Sequence, residues 1–367
     1  MHVICSRSLL NEAIAIVQKA IATRSPNPIL EGILIDVSQN TITLTGYDLE
    51  TGIEYKLDGE VREEGSVVVQ SKMFGDIVRK LPDEVVDISS GSDLSFTIKS
   101  GNSTFKIRSL EAGDYPKIPV VEESQKVIVP QSVLRSMIMQ TIFASSNDES
   151  RPVMNGLNVS TEEKNLEIVA VDGFRLAVRR EELENKNESL SFIVPAKAMA
   201  EVARIMSDND AEMAIYPSHN HILFENDRIR LVSRLIQGDF MDYRKLVPPS
   251  CRSRILINTK EMLEAIERAS LVINVELRRF PVTLSNSSEK EMMITAKTDL
   301  GHVEEMIPIE LSGDNIDIDF NPKYFLDTLR ALDCEKIVLE MSGPSSPCLI
   351  KPVEGDSFLY LLLPLRR

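Results

Sequence analysis

The sequence predicts an α+β chain built from three similar domains, each made of two strand–helix–strands halves. Three observations predict it. A strand followed by an amphipathic helix recurs with a period of about 125 residues. A second strand–helix segment lies about 65 residues into each third. The stretches between helices, such as TITLTGYDLETGIEYKL and LEIVAVDGFRLAVRR, alternate apolar and polar residues as antiparallel strands do.

The three domains open with VICSRSLLNEAIAIVQKAI from Val3, VIVPQSVLRSMIMQTIFAS from Val127 and ILINTKEMLEAIERASLVI from Ile255. In the first, Leu10, Ile14, Val17 and Ile21 recur at three- and four-residue steps and so share one helical face. Leu134, Met137, Ile138 and Thr141 do the same in the second, and Leu263, Ile266, Ser270 and Ile273 in the third. Each helix is entered through polar, cap-forming residues: Ser6, the run Pro130-Gln131-Ser132, and Asn258-Thr259. The second units are VVVQSKMFGDIVRKL from Val67, FIVPAKAMAEVARIM from Phe192 and IDFNPKYFLDTLRAL from Ile318, each followed by an apolar strand. Asp48, Asp172 and Asp299 each end an alternating strand, and Gly113-Asp114-Tyr115 and Gly238-Asp239-Phe240 each precede a proline-bearing linker. These linkers place the domains at 1–124, 125–250 and 251–367.

Composition narrows the function. With 43% hydrophobic and 26% charged residues, the 367-residue chain can bury a substantial core and is not disordered. Its apolar stretches are short and charge-flanked, so no membrane helix is expected. Asn11 and Glu12 interrupt the N-terminal apolar run, which reads as folded structure and not as a secretory signal; a cytoplasmic location is expected. Cys5, Cys251, Cys334 and Cys348 lie far apart and are expected to be buried, reduced thiols. His219 and His221 alternate in a strand-like stretch with no thiol or carboxylate partner in view, and are expected to flank a turn rather than hold a metal. No phosphate-binding glycine loop, dinucleotide fingerprint, H-E-x-x-H or G-x-S-x-G occurs, so no catalytic site, cofactor or metal is expected. A nuclease using acids such as Asp317 and Asp319, and a scaffold binding protein alone, are the rival readings.

The net charge is −15, yet it is unevenly spread. The six helical windows together carry thirteen Lys and Arg against seven Asp and Glu, so the strands and loops hold the acidic excess. Helices burying apolar faces on sheets would present the basic residues together, lining a central hole with the sheets outside. Weak phosphate contacts without base readout suit a protein that slides on DNA. A repeated chain that associates head to tail can close into a ring, here as a dimer.

Five stretches in order over the whole length carry a resemblance: TRSPNPIL at Thr23–Leu30, VDGFRLAV at Val171–Val178, IQGDFMDYRKLVP ending at Pro248, FNPKYFLDTLRAL from Phe320, and the terminal YLLLPLRR. The chain resembles the bacterial DNA polymerase III beta subunits, the sliding clamps. That resemblance implies a dimeric ring encircling duplex DNA, loaded by a separate ATP-driven clamp loader. It also implies a groove that tethers the replicative polymerase and other proteins through short linear motifs. Carried over position by position, the groove comprises Met154, Val171, Gly173, Phe174, Arg175 and Leu176, with Met241, Lys245 and Leu246 from the linker. Leu361, Leu363, Pro364, Leu365 and Arg366 complete it. Arg175 and Arg366 are expected to hold backbone carbonyls or an acidic flank, and Gly173 to make a turn that a side chain would obstruct. Phe174 stands where the family often has a more polar ring, and Met241 where it usually has proline. The resemblance assigns DNA contact to Arg24, Lys72, Arg79, Lys197, Arg279, Asn321 and Tyr324. A dimer interface is expected to join the first domain to the third, near Phe105–Leu110 and Leu271–Ile273. The corresponding places in the outer domains read YDLETGI and TDLGHVE, so one groove per chain is expected.

Overall fold

Among the described residues every sheet is antiparallel, and each lies wholly within one of two compact sets of residues. A computed structural model describes residues 1–22, 24–206, 211–273, 281–286, 288–299 and 301–366. The first set is Met1–Ser132 with Arg204–Leu235, and the second is Val133–Ala203 with Ile236–Arg367. Among the described residues there are six α-helices, at the positions the apolar periodicity marks.

In the first set, β1 (His2–Ser6) leads into α1 (Arg7–Val17), and β2 (Gly32–Ser38), β3 (Thr41–Tyr47), β4 (Thr51–Leu57), β5 (Gly59–Glu63) and β6 (Gly65–Gln70) follow. Then come α2 (Ser71–Arg79), β7 (Val85–Ser90), β8 (Ser95–Ser100), β9 (Ser103–Arg108) and β10 (Val127–Pro130). The set is completed by β13 (Glu212–Pro217), β14 (His221–Glu225) and β15 (Ile229–Arg234). One sheet runs β5-β1-β7-β8-β9 and the other β10-β13-β14-β15-β4-β3-β2-β6. Leu10, Ala13, Ile14 and Val17 form the buried face of α1, and Ser6 caps it by accepting the Leu9 N–H at 3.3 Å.

The second set holds β11 (Gly156–Val171), β12 (Arg175–Pro195) and most of α3 (Gln131–Met139) and α4 (Ala196–Ile205). Next are β16 (Ser253–Asn258), α5 (Thr259–Ser270), β17 (Val282–Asn286), β18 (Glu291–Thr298), β19 (Gly301–Gly313) and β20 (Asp317–Phe320). The chain continues through α6 (Pro322–Arg330), β21 (Lys336–Met341), β22 (Cys348–Pro352) and β23 (Phe358–Leu362). Its ten strands are ordered β11-β12-β23-β22-β21-β16-β19-β18-β17-β20. Asn258 caps α5 through the Glu261 N–H at 3.0 Å, and Asn321 caps α6 through the Lys323 N–H at 3.0 Å.

The repeat is visible in the register. The strand opening each third pairs with the strand that follows the second helix: Val3 with Ile88, Val129 with Met213, Ile255 with Leu339. The last residue of the strand leading into each second helix also finds an equivalent partner, Gln70 with Gly32, Pro195 with Gly156, and Phe320 with Val282. Two of the sheets continue past the sequence linkers. Residues on either side pair as Val232 with Gly52 and as Leu361 with Leu176. A one-residue slip at either place would turn the apolar rows of both strands outward, which pins the register.

The cysteines correct one expectation. Cys5 and Cys348 are buried, but Cys334 is half-buried and Cys251 is exposed, because the linker carrying Cys251 crosses the surface. His219 lies in the turn before β14 and His221 begins that strand. Among the described residues no group of three or more His, Cys, Asp or Glu is placed to hold a metal ion. No described helix is long and apolar enough to cross a membrane.

Candidate functional site

The hairpin joining β11 to β12 builds the centre of the site. Asp172 accepts the N–H groups of Phe174 at 2.9 Å and Arg175 at 3.0 Å through one carboxylate oxygen, and its own N–H donates to the Arg175 carbonyl at 3.2 Å. This tight turn puts Gly173 at φ +91°, where an L side chain is strained. The glycine is needed for its dihedral and not for space: an added Cβ would meet only the Arg151 guanidinium at 3.6 Å. The same turn projects Phe174 outward, 58% exposed.

Arg175 points the other way. Its Nε donates to Asp172 Oδ2 at 2.9 Å and its Nη1 to Asp327 Oδ2 at 2.6 Å, and the residue is only 8% exposed. The guanidinium lies 4.8 Å from the Tyr324 ring centroid and 5.5 Å from that of Phe143. A buried cation needs such compensation. Arg175 is therefore committed to two carboxylates and two rings, which corrects the expectation that it reaches out to a ligand's carbonyls or acids. Tyr324 in turn stacks on Phe174, with centroids 6.1 Å apart and planes at 21°.

Beneath the turn, Val171, Leu176 and Leu361 are buried together with Val169, Val178, Leu349, Leu359 and Tyr243. They form floor and not wall, because β23 pairs with β12 here and closes the sheet over them. Met154, Phe240 and Val247 are half-buried against this cluster. The Tyr243 hydroxyl donates to Glu167 at 2.6 Å and accepts from Arg180 Nη2 at 2.9 Å, fixing the linker to the sheet. Burial and the neighbouring Glu167 raise the Tyr243 phenol above its ordinary value.

The rim is apolar and open. Met241, Leu246, Leu363 and Leu365 are each between 37% and 40% exposed, and Pro364 is half-buried. The residues after β23 are held by the backbone: Leu363 N–H donates to the Phe174 carbonyl at 2.9 Å and Leu365 N–H to the Asp319 carbonyl at 2.8 Å. Lys245 and Arg366 are exposed, with Lys245 3.6 Å from Asp242. A cavity of about 1060 Å³ opens beside the turn, lined by Gly173, Phe174, Arg175, Asn321, Tyr324 and Leu365 together with Arg151 and Ser145–Asp148.

This cavity redistributes the residues expected at DNA. Asn321 caps α6 and Tyr324 packs under Phe174, so both share the cavity with the groove residues. Arg24, Lys72, Arg79 and Lys197 are exposed, and Arg79 is 3.2 Å from Asp76. Arg279 lies outside the described residues. Other helix cations have acidic neighbours: Arg7 with Glu84, Lys260 with Glu264, Arg268 with Glu305 and Arg330 with Glu267. Such exposed pairs are worth little and exchange readily for other anions. Sequence reading missed Phe143, Asp327 and Tyr243, whose roles depend on contacts with distant parts of the chain and leave no local motif.

An open apolar rim, a buried apolar floor and a cavity beside a backbone-held turn make a surface suited to apolar contact. The fold and the site thus define a repeat-built α+β binding protein. Comparison with known proteins is specific. Models of the N-terminal, central and C-terminal domains of the DNA polymerase III beta subunit match residues 1–119, 128–242 and 244–366. A beta sliding clamp of Staphylococcus epidermidis is 36% identical, over 95% of this chain and 94% of that one. The crystal structure of the DNA polymerase sliding clamp from Bacillus subtilis superposes with a TM-score of 0.96 at 32% identity, covering 100% of this chain and 99% of the other. A putative DNA polymerase III beta subunit from Eubacterium rectale gives a TM-score of 0.95 at 36% identity, with 100% and 99% covered. The chain belongs to the bacterial DNA polymerase III beta subunit family, the sliding clamps. It is a replication processivity factor and not an enzyme.

Proposed function

We propose that two copies of this cytoplasmic chain close head to tail into a ring around duplex DNA, placed there by a clamp loader. The ring tethers the replicative polymerase and other proteins whose linear motifs dock at the Phe174–Leu365 site. The observation that carries this reading is the end-to-end family match joined to the threefold repeat of strand register. The domains of the ring are 1–124, 125–250 and 251–367. The exposed edge strand β9, with Phe105 on it and Leu110 two residues past its end at the surface, supports the dimer interface, as does the exposed Leu271; Ile273 is buried within its own chain. Arg24, Lys72, Arg79 and Lys197 contact phosphate in a sequence-blind way, and paired helix cations such as Arg268 add a reserve that DNA can recruit.

The test is retention on circular against linearised DNA after loading with ATP. Protein that stays on circles and leaves linear ends is bound topologically. Retention that ignores topology would sink the ring reading. Groove occupancy is tested separately, by binding of short apolar peptides to the wild-type chain and to Leu363→Ala and Leu365→Ala variants.

A further inference from the structure

The turn that builds the groove has a copy in the first third. Asp48 accepts the N–H groups of Glu50 at 3.0 Å and Thr51 at 2.7 Å, and its N–H donates to the Thr51 carbonyl at 3.2 Å, as Asp172 does with Phe174 and Arg175. Leu49 takes the place of Gly173, with φ +76°, and is half exposed. The Arg234 N–H donates to the Glu50 carbonyl at 3.1 Å, as Leu363 does to Phe174. The sheet runs through both places, Val232 paired with Gly52 as Leu361 is with Leu176.

The copies differ at the floor. Four residues after each aspartate stands Leu176 in one and Gly52 in the other. The glycine leaves a hollow, and Ile118 of the linker enters it: a Cβ on Gly52 would sit 2.5 Å from Ile118 Cδ1 and 2.6 Å from its Cγ1. Three residues on, Val121 is buried against Val232. At the groove itself the linker and tail leave Met241, Leu246 and Leu363 exposed. Tyr115 fixes the closed linker through its hydroxyl, which reaches the carbonyls of Thr45 at 3.3 Å and Gly32 at 3.4 Å.

We propose that the linker segment 115–121 is the resident occupant of a second copy of the groove, with Ile118 as its anchor. The wild-type chain then offers external peptides one groove, and a chain without the anchor offers two. This rests on the peptide-docking reading above. The third copy, at Asp299, includes Leu300, which lies outside the described residues.

The experiment is photo-crosslinking with a hexapeptide of alternating leucine and serine that carries one benzophenone residue, mapped by mass spectrometry. Ile118→Ala removes the anchor; Ile118→Ala with Gly52→Leu refills the hollow from below, and melting curves establish that it is folded. Cross-links at residues 47–53 are expected to rise at least about tenfold over wild type in the variants, as for a site whose open state was populated under a tenth of the time. A folded double variant with no rise there overturns the proposal. Absence of wild-type cross-links at residues 171–176 counts instead against the docking reading, and leaves the result at 47–53 to be judged alone.

Discussion

Arg175 and Asp327, 152 residues apart in the chain, meet with Nη1 2.6 Å from Oδ2. The contact ties the β11–β12 turn to α6, and Asp172 completes a guanidinium clamp that Tyr324 and Phe143 cover. Removing one member of a buried pair leaves the other charge uncompensated. Arg175→Ala is expected to destabilise the protein by about 3–5 kcal/mol. Asp327→Ala should cost less, about 1–2 kcal/mol, because Asp172 remains as partner. Urea unfolding of both single variants and the double variant gives the coupling; strict additivity would show that the two residues do not act together.

Phe174 does the opposite work. It is exposed, and its ring rests on Tyr324. Phe174→Ala should change unfolding free energy by less than about 0.5 kcal/mol, as exposed substitutions do, while weakening apolar peptide binding about tenfold or more, the scale of a hot-spot aromatic. Calorimetry on peptide titrations checks it. Unchanged affinity would remove Phe174 from the binding surface.

These two residues show what the sequence could and could not reveal. The faces of α1 and α3, two of the caps and the threefold period were legible because each depends on neighbours within about four residues or on a repeated spacing. In α5, by contrast, Met262, Ala265, Ile266 and Ala269 are buried and the expected Leu263 and Ser270 only half-buried, because its small alanines pack closest to the sheet. Ser6 and Asn258 cap where expected. The residues expected in a groove came only from the resemblance, and which of them are buried and which open was not legible. Leu361 and Leu363 stand two apart, and only the pairing of β23 with β12 and the strand's end after Leu362 bury one and expose the other. The fate of Arg175 was hidden for the same reason, since Asp327 belongs to a helix with no local sign of its partner.

Glu84 links acid stability to the first helix. It accepts the Ser8 N–H at 3.0 Å and the hydroxyls of Ser6 and Ser8, which hold its carboxyl at about 2 instead of the ordinary 4.5. A depressed carboxylate contributes stability above its unfolded value and loses it as pH falls through the folded one. The melting temperature of Glu84→Gln should lie below wild type at neutral pH, with the gap closing between about 4.5 and about 2. A gap independent of pH would show that charge is not involved.

The thiols should report their surroundings. Cys251 is exposed and Cys334 half-buried, whereas burial raises the Cys5 thiol to about 12 and pushes the Cys348 thiol up as well. A disulfide reagent is expected to label Cys251 rapidly and Cys334 slowly in the native protein, and Cys5 and Cys348 only on unfolding. Mass mapping of early labelling decides this, and fast modification of Cys348 would contradict the buried β22.

The position of β23 bears on how the protein is made. This strand enters between β12 and β22, neither at an edge of the sheet, and its residues 358–362 supply part of the groove floor. A ribosome therefore makes residues 196–357, all that lies between β12 and β23, before β12 acquires its second neighbour. Until then β12 presents an open row of backbone donors and acceptors, which a nascent-chain chaperone or the growing chain itself must shield. A product truncated before Phe358 lacks Leu361, Leu363 and Leu365 together with the second neighbour of β12, so it cannot assemble the floor and the rim beside Phe174.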